Sequence, residues 1–327
     1  LPNGVTKCAR AQNSAQSRFR RIGPAETDAA SLMKEADLAL YSAKSGGRAN
    51  WKEYSEAFKA KVRGQRELAR DLEKAIGTSE LRLAFQPIVA GKTGEIVAVE
   101  ALSRWEHPTR GRIAPTDFIA VAESNGLIIS LGDTVVASAI EAAASLPEHI
   151  RVGINVSPLQ IHSSALMELI ERKLAETGVA PERIELEITE SVFLSDNSFV
   201  LERLRHFGTG FSSLAYLQRF PFDKLKLDQA FVRGIEISDQ SCAIARATIS
   251  MAHALNLTVT AEGVETEAQA EFLRQQGCDE LQGFLYAVPQ AENSLGAFVD
   301  QHMIGFDVAK LAGNDKVVSL KTGKFLK

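Results

Sequence analysis

The chain has 327 residues, 45% of them apolar and 24% charged, and a formal net charge of -4. This composition supports a sizeable buried core and excludes a disordered or fibrous polymer, while the slight acidic excess gives no bulk attraction for polyanions, so nucleic acid is not an expected partner. No run reaches the ~18 uninterrupted apolar residues of a membrane span, and no charged, then apolar, then small-residue leader opens the chain. Cys8, Cys242 and Cys278 lie far apart without CxxC spacing. That spacing predicts free thiols in a reducing compartment. The expected localisation is cytoplasmic, for this chain itself or as the cytoplasmic part of a longer sensor.

In chain order, residues 1 to about 25 carry no clean period. Thr27 then caps a helix with Leu32, Ala36, Ala39, Leu40 and Ala43 at helical spacing, ending before Gly46 and Gly47. A charged connector helix runs from about Trp51 to Ile76, with Val62, Leu68, Leu72 and Ile76 on one stripe and Gly77 as its stop. From Leu81 the texture changes to short Val- and Ile-rich runs alternating with amphipathic stretches, the pattern of β/α units. The expected strands are Leu81 to Val89, Ile96 to Val99, Arg151 to Asn155, Ile184 to Ile188, Lys224 to Leu227, Thr258 to Ala261 and Glu280 to Tyr286. The first two, joined by Ala90 to Glu95 with Gly91 and Gly94, predict an antiparallel hairpin. The later ones are separated by enough chain for parallel crossovers. Helices fit Thr116 to Glu123, Val135 to Ala144, Ala165 to Glu176, Asn197 to Arg205, Ser213 to Arg219, Gln240 to Ala254 and Glu267 to Gln276. The expected fold is α/β, a TIM-like (β/α) barrel one strand short of eight, with an antiparallel first hairpin.

Polar residues stand at the strand ends, where such barrels carry their chemistry. They are Glu100, Asn155, Glu187, the pair Lys226 and Asp228 around Leu227, Glu262, and Gln282. One Glu or Lys in such a place is commonly a solvated cap; seven polar residues converging on one rim are harder to read that way. Carboxylates with an amide carbonyl are hard ligands, suited to Mg²⁺ or Mn²⁺ rather than zinc. A hydrolytic site for a phosphodiester follows. None of the histidines, His107, His149, His162, His206, His253 and His302, shows ligand spacing. The Gly-containing stretch Phe207 to Ser213 precedes a helix, where backbone N–H groups can face phosphate, but it is not a Walker or dinucleotide pattern.

Glu100-Ala101-Leu102 followed by Ser103-Arg104-Trp105 resembles the signature that names the EAL domain. Gln86-Pro87, Asn155-Val156-Ser157, Glu187-Ile188-Thr189-Glu190-Ser191, Phe207-Gly208-Thr209-Gly210, Lys224 to Asp228, Ala261 to Glu265 and Gln282-Gly283 follow in the family's order, over about Leu81 to Asp300. Residues Thr27 to Arg48 resemble the final helix of a GGDEF (diguanylate cyclase) domain, without that domain's active motif. The implied organisation is a GGDEF remnant over 1–50, a linker helix over 51–77, an EAL barrel over 78–302 and a lysine-bearing tail over 303–327.

The resemblance implies a phosphodiesterase that opens cyclic di-GMP to linear pGpG with two divalent cations, Mg²⁺ or Mn²⁺. It implies Glu100, Asn155, Glu187 and Glu262 as metal ligands. Lys226 would orient the attacking water, Arg104 would pair with a phosphate oxygen, Gln86 would contact ligand, and Gln282 would complete the water network. Glu190 would steady the loop around Phe207 to Gly210, with Asp228 and Glu265 behind the ligands, and a homodimer near that loop is implied as well. In one respect the sequence departs: the family carries an apolar strand ending in Asp-Asp directly before Phe-Gly-Thr-Gly, whereas His206 stands directly before Phe207 here. The first of those aspartates would bridge the two cations, which otherwise repel. Three readings stay open: a phosphodiesterase, an EAL-like receptor that binds cyclic di-GMP without cleaving it, and a protein-interaction scaffold. The tail from Met303, with Lys310, Lys316, Lys321, Lys324 and Lys327, reads as a solvated extension.

Overall fold

The structure, a computed structural model, describes residues 56–161, 163–188 and 222–305. The expected helix over Thr27 to Lys44, Glu190, the Phe207 to Gly210 loop, the helices over Asn197 to Arg205 and Ser213 to Arg219, and the tail beyond residue 305 lie outside the described residues. These divide into two compact units. One holds 56–78 with 116–127; the other holds 79–115 with 128–305. The first unit contains helix α1 (Glu56–Ala75), which buries Val62, Ala69, Leu72 and Ala75, and residues 116–127 of helix α2 (Pro115–Asn125) and its end, which bury Phe118, Val121 and Ala122.

The second unit is a mixed α/β sheet with helices, the class expected from the sequence. Its strands are β1 (Leu81–Ala90), β2 (Ile96–His107), β3 (Gly111–Ile113), β4 (Arg151–Asn155), β5 (Ile184–Glu187), β6 (Lys224–Leu227), β7 (Thr258–Ala261), β8 (Glu280–Gln282) and β9 (Gln290–Ala291). Seven of them follow the order β5-β4-β2-β1-β8-β7-β6, with β3 paired to β2 and β9 to β1. The β2–β4, β4–β5, β6–β7 and β7–β8 pairs are parallel, and β1 runs antiparallel to both β2 and β8. The β1–β2 hairpin closes as expected. Gly94 takes φ 74°, and Gly91 lies so close to the neighbouring chain that a Cβ there would stand 2.3 Å from the Cys278 carbonyl oxygen.

Three strand expectations are corrected. β2 continues to His107 because Ala98 to Trp105 keep pairing with β1, and β3 then pairs with its last three residues. β8 stops at Gln282 rather than reaching Tyr286. Gly283 presses on Val264, where a Cβ would meet the carbonyl oxygen at 2.0 Å, and the chain turns there, with Tyr286 and Ala287 donating to the Gly283 carbonyl. The two-residue β9 and three-residue β3 are too short for a period-2 signal.

The helices of this unit are α3 (Ile128–Ala144), α4 (Pro158–Ile161), α5 (Ser164–Thr177), α6 (Gln229–Arg233), α7 (Asp239–Ala254), α8 (Glu267–Gln275) and α9 (Glu292–Gly305). Their ends follow their caps. The Ser163 hydroxyl accepts from the Ala165 N–H, Gly178 terminates α5 at φ 71°, and Thr266 with Gln269 forms a capping box on α8. Short α4 and α6 and the terminal α9 carry no expectation from the sequence.

Strand alternation sorts the residues. Val152, Ile154, Ile184, Leu186, Leu225, Leu227, Val259 and Leu281 join a core with Val136, Ile140, Ile170, Ile249 and Leu273 from α3, α5, α7 and α8. Residues of the opposite parity, Arg151, Gly153, Asn155, Glu185, Glu187, Lys224, Lys226, Thr260, Glu280 and Gln282, share the other face of the sheet. The sheet's two ends, β5 and β6, are not hydrogen-bonded to each other. Side chains span them instead: Lys224 reaches Glu185 at 2.6 Å and Lys226 reaches Glu187 at 2.5 Å. Among the described residues no helix is long and apolar enough to cross a membrane.

Candidate active site

Lys226 is the hub of the site. From the middle of β6, its ammonium lies 2.5 Å from Glu187 on β5, 2.8 Å from Glu262 just beyond β7, and 3.2 Å from Glu100 on β2. Glu100 is 7% exposed, and its second oxygen accepts from the Asn155 amide at 2.6 Å. Gln282, also buried, donates to Glu100 at 2.7 Å and to Gln86 Oε1 at 3.3 Å; Gln86 in turn donates to the Ala287 carbonyl. Register produces this convergence, since Glu100 is paired with Gln86 on β1 and with Gly153 on β4, and Asn155 with Glu187.

Three carboxylates around one ammonium leave a net charge of -2 when all are ionised. Burial alone would raise the Glu100 pKa, but Lys226 and the amides of Gln282 and Asn155 outweigh it and hold Glu100 below the usual carboxylate range. For Glu187 burial wins. With Glu100 and Glu262 adding to it against Lys226, its carboxyl is pushed up to about 8. Burial disfavours the charge on Lys226, yet Glu187, Glu100 and Glu262 hold its ammonium well above the ordinary lysine value.

A pH dependence follows. The ordinary carboxyl value is 4.5 and the folded one about 8, so the contribution of Glu187 to stability is complete below 4.5 and lost as pH rises through 8. Glu100 moves the other way, and its contribution, lost only as pH falls below the ordinary carboxylate range, is constant above it. The metal-free protein is therefore expected to lose several degrees of melting temperature between pH of about 5.5 and about 8.5, a slope that Glu187→Gln removes. Thermal scans across that range check it.

Of the other expected site residues, Arg104 lies four positions beyond Glu100 on β2 and donates to the Ser103 carbonyl at 2.9 Å. Burial, then neighbouring Arg112, lowers its pKa against the pull of Glu100, and it forms no ion pair among the described residues. Asp228 and Glu265 are not brought to the cluster. Asp228 caps α6 by accepting from the Ala230 N–H at 2.7 Å, and Glu265 pairs with Arg233 at 3.1 Å on the surface.

A second polar tier on the same face went unforeseen in the sequence. Arg151 pairs with Glu185 and with Glu280, Lys224 pairs with Glu185 at 2.6 Å and Glu280 at 2.8 Å, and Thr260 donates to Glu280 at 2.7 Å. Each charged member precedes a member of the upper tier by two or four residues, so strand alternation is the signal that could have found them. This tier is balanced, two cations against two anions, whereas the upper one is not.

The upper tier fits a divalent cation. Its donors are hard oxygens, its carboxyl groups outnumber its one ammonium by three to one, the lifted Glu187 carboxyl lacks a second cation, and Gln282 Oε1 is buried without a hydrogen-bond partner. Among the described residues no three carboxylate, imidazole or thiolate groups are set around one point for a metal; the Lys226 ammonium occupies the point on which these three carboxylates converge.

An α/β sheet of this topology, with polar residues from several strands converging on one face, is the architecture of a barrel-type domain. Residues 69–289 match the EAL domain model, and the chain belongs to the EAL domain family. It is 45% identical over 279 residues to an uncharacterized signaling protein of Caulobacter vibrioides, covering 82% of this chain and 34% of that protein. It is 38% identical over 294 residues to the cyclic di-GMP phosphodiesterase NbdA of Pseudomonas aeruginosa, covering 85% of this chain and 37% of that protein. The chain thus spans about a third of the length of these curated relatives. Among solved structures, the PaMucR phosphodiesterase in its c-di-GMP complex superposes with a TM-score of 0.65 at 36% identity, covering 70% of this chain and 99% of that one.

Proposed function

We propose that the chain is a cyclic di-GMP phosphodiesterase domain that hydrolyses its substrate to linear pGpG with Mg²⁺ or Mn²⁺. The observation that carries this reading is the convergence of three carboxyl groups, Glu100, Glu187 and Glu262, on the single ammonium of Lys226. The family and the named activities of NbdA and PaMucR support it.

In this reading Glu100, Asn155, Glu187 and Glu262 hold the metal, whose bound form supplies an acidified water and neutralises phosphate charge. Lys226 donates to the water that attacks phosphorus, and its raised pKa keeps it a hydrogen-bond donor rather than a base. Gln282 and Gln86 fix the orientation of Glu100. Arg104, unpaired among the described carboxylates, neutralises a phosphate oxygen.

One sequence feature favours a second reading. The Asp-Asp pair that the family carries before Phe-Gly-Thr-Gly, the first member of which would bridge two cations, is absent before Phe207, where His206 stands. A chain limited to one cation would bind cyclic di-GMP and cleave it poorly, as a receptor. Formation of pGpG from cyclic di-GMP and Mn²⁺, lost on Glu100→Ala, tests the first reading; binding without any pGpG selects the second.

A further inference from the structure

We infer that Gly153 is a positioning residue, whose missing side chain makes the space that the Glu187 carboxyl occupies. Gly153 is buried on β4, in the inward-facing parity with Arg151 and Asn155, and its backbone is paired with Glu100 on one side and Glu185 on the other. The inward positions beside it on β4 and β5, Arg151, Asn155, Glu185 and Glu187, all carry polar side chains. A Cβ built on Gly153 would stand 2.5 Å from Glu187 Oε1 and 3.3 Å from its carboxyl carbon. Its three nearest contacts are all atoms of the Glu187 side chain, so the carboxylate alone must give way. The other oxygen of that carboxylate is the one that meets Lys226 at 2.5 Å. Gly153 is not among the glycines with positive φ, so its backbone does not require glycine.

The space between the two polar tiers is thus reserved for one oxygen of Glu187. An added methyl would turn the carboxyl away from Lys226 and from Glu100 while leaving the strand intact. Alanine is ordinarily more favourable than glycine within a strand. A loss of stability on Gly153→Ala therefore reports the displaced carboxylate.

The test is a double-mutant cycle on the metal-free full chain, read by melting temperature, together with Mn²⁺ binding by calorimetry. Gly153→Ala is expected to lower the melting temperature by several degrees in the native background and to leave it unchanged or raised in the Glu187→Ala background, where no carboxylate opposes the methyl. Equal losses in both backgrounds, or none in either, overturn the inference. The second arm rests on the proposed metal role of Glu187. Gly153→Ala is expected to weaken Mn²⁺ binding by tenfold or more, whereas Gly296→Ala, whose Cβ meets nothing within 4 Å, leaves it as in the native chain. Should the native chain bind no Mn²⁺, the metal reading fails while the cycle still decides the role of Gly153. Native-strength binding by a Gly153→Ala chain whose cycle shows no coupling refutes it.

Discussion

Lys226→Met is expected to lower the melting temperature of the metal-free protein at neutral pH by about 10 °C and to reduce pGpG formation by roughly 10²–10⁴-fold. Among the described residues Lys226 is the sole ammonium shared by Glu100, Glu187 and Glu262, and Glu100 and Glu187 are largely withdrawn from water. Removing one partner of a buried ion pair leaves the other charge desolvated and costs about 3–5 kcal/mol. In a domain of this size each kcal/mol shifts the midpoint by about 2–4 °C. Millimolar Mn²⁺ should restore part of the loss, because a divalent ion meets the charge that the lysine had balanced. A Lys226→Met protein that melts at the native temperature would mean that the three carboxylates are already neutral or hydrated, and that the lysine is not the hub of the site.

A second large effect is expected from insertion. Placing an apolar strand that ends in Asp-Asp between His206 and Phe207 is expected to raise turnover by roughly 10³-fold, the equivalent of several kcal/mol of metal-held charge stabilisation. The point of insertion falls in chain order between β5 and β6, the two ends of the sheet that no backbone hydrogen bond joins. The same variant should melt higher, since it supplies backbone partners to the edges of β5 and β6, which pair with no further strand among the described residues. Measured turnover and melting temperature of the insertion variant beside the native chain check both. An insertion that folds but leaves turnover unchanged would show that the described carboxylates set the rate by themselves.

Much of this site is legible in the amino-acid sequence. Glu100, Asn155, Glu187, Lys226, Glu262 and Gln282 each lie in or directly after a short strand-like run, and the outer ends of such runs in β/α folds converge on one rim. The lengths of β4 and β7 are readable as short runs with β-branched residues, and that of β6 from the Leu225 and Leu227 alternation with Lys224 and Lys226. What fails to show is governed by contacts distant in sequence. The close approach of Gly283 to Val264 ends β8, and nothing local to residues 280–286 announces Val264. Asp228 and Glu265 sit one and four residues past their strands, where the chain has already turned outward into α6 and toward α8. The lower tier of Arg151, Glu185, Lys224 and Glu280 stays hidden because early strand positions are ordinarily packing positions. Its charges are tolerated there only because each meets its opposite.

The balance between the two tiers is the physical reason for assigning chemistry to one and structure to the other. The lower tier is neutral and internally satisfied, so it asks for no ligand. The upper tier retains an excess negative charge, a protonatable Glu187 and an unpartnered amide oxygen, all of which a cation and its water would resolve.

The measurement that bears most directly on this account is chromatographic detection of pGpG after incubating the purified full chain with cyclic di-GMP and Mn²⁺, with Glu100→Ala and a metal-free sample alongside. The account predicts pGpG from the native chain with Mn²⁺ and none from either control. Absence of pGpG from the native chain, with cyclic di-GMP bound and recovered intact, would contradict it and leave the domain a receptor.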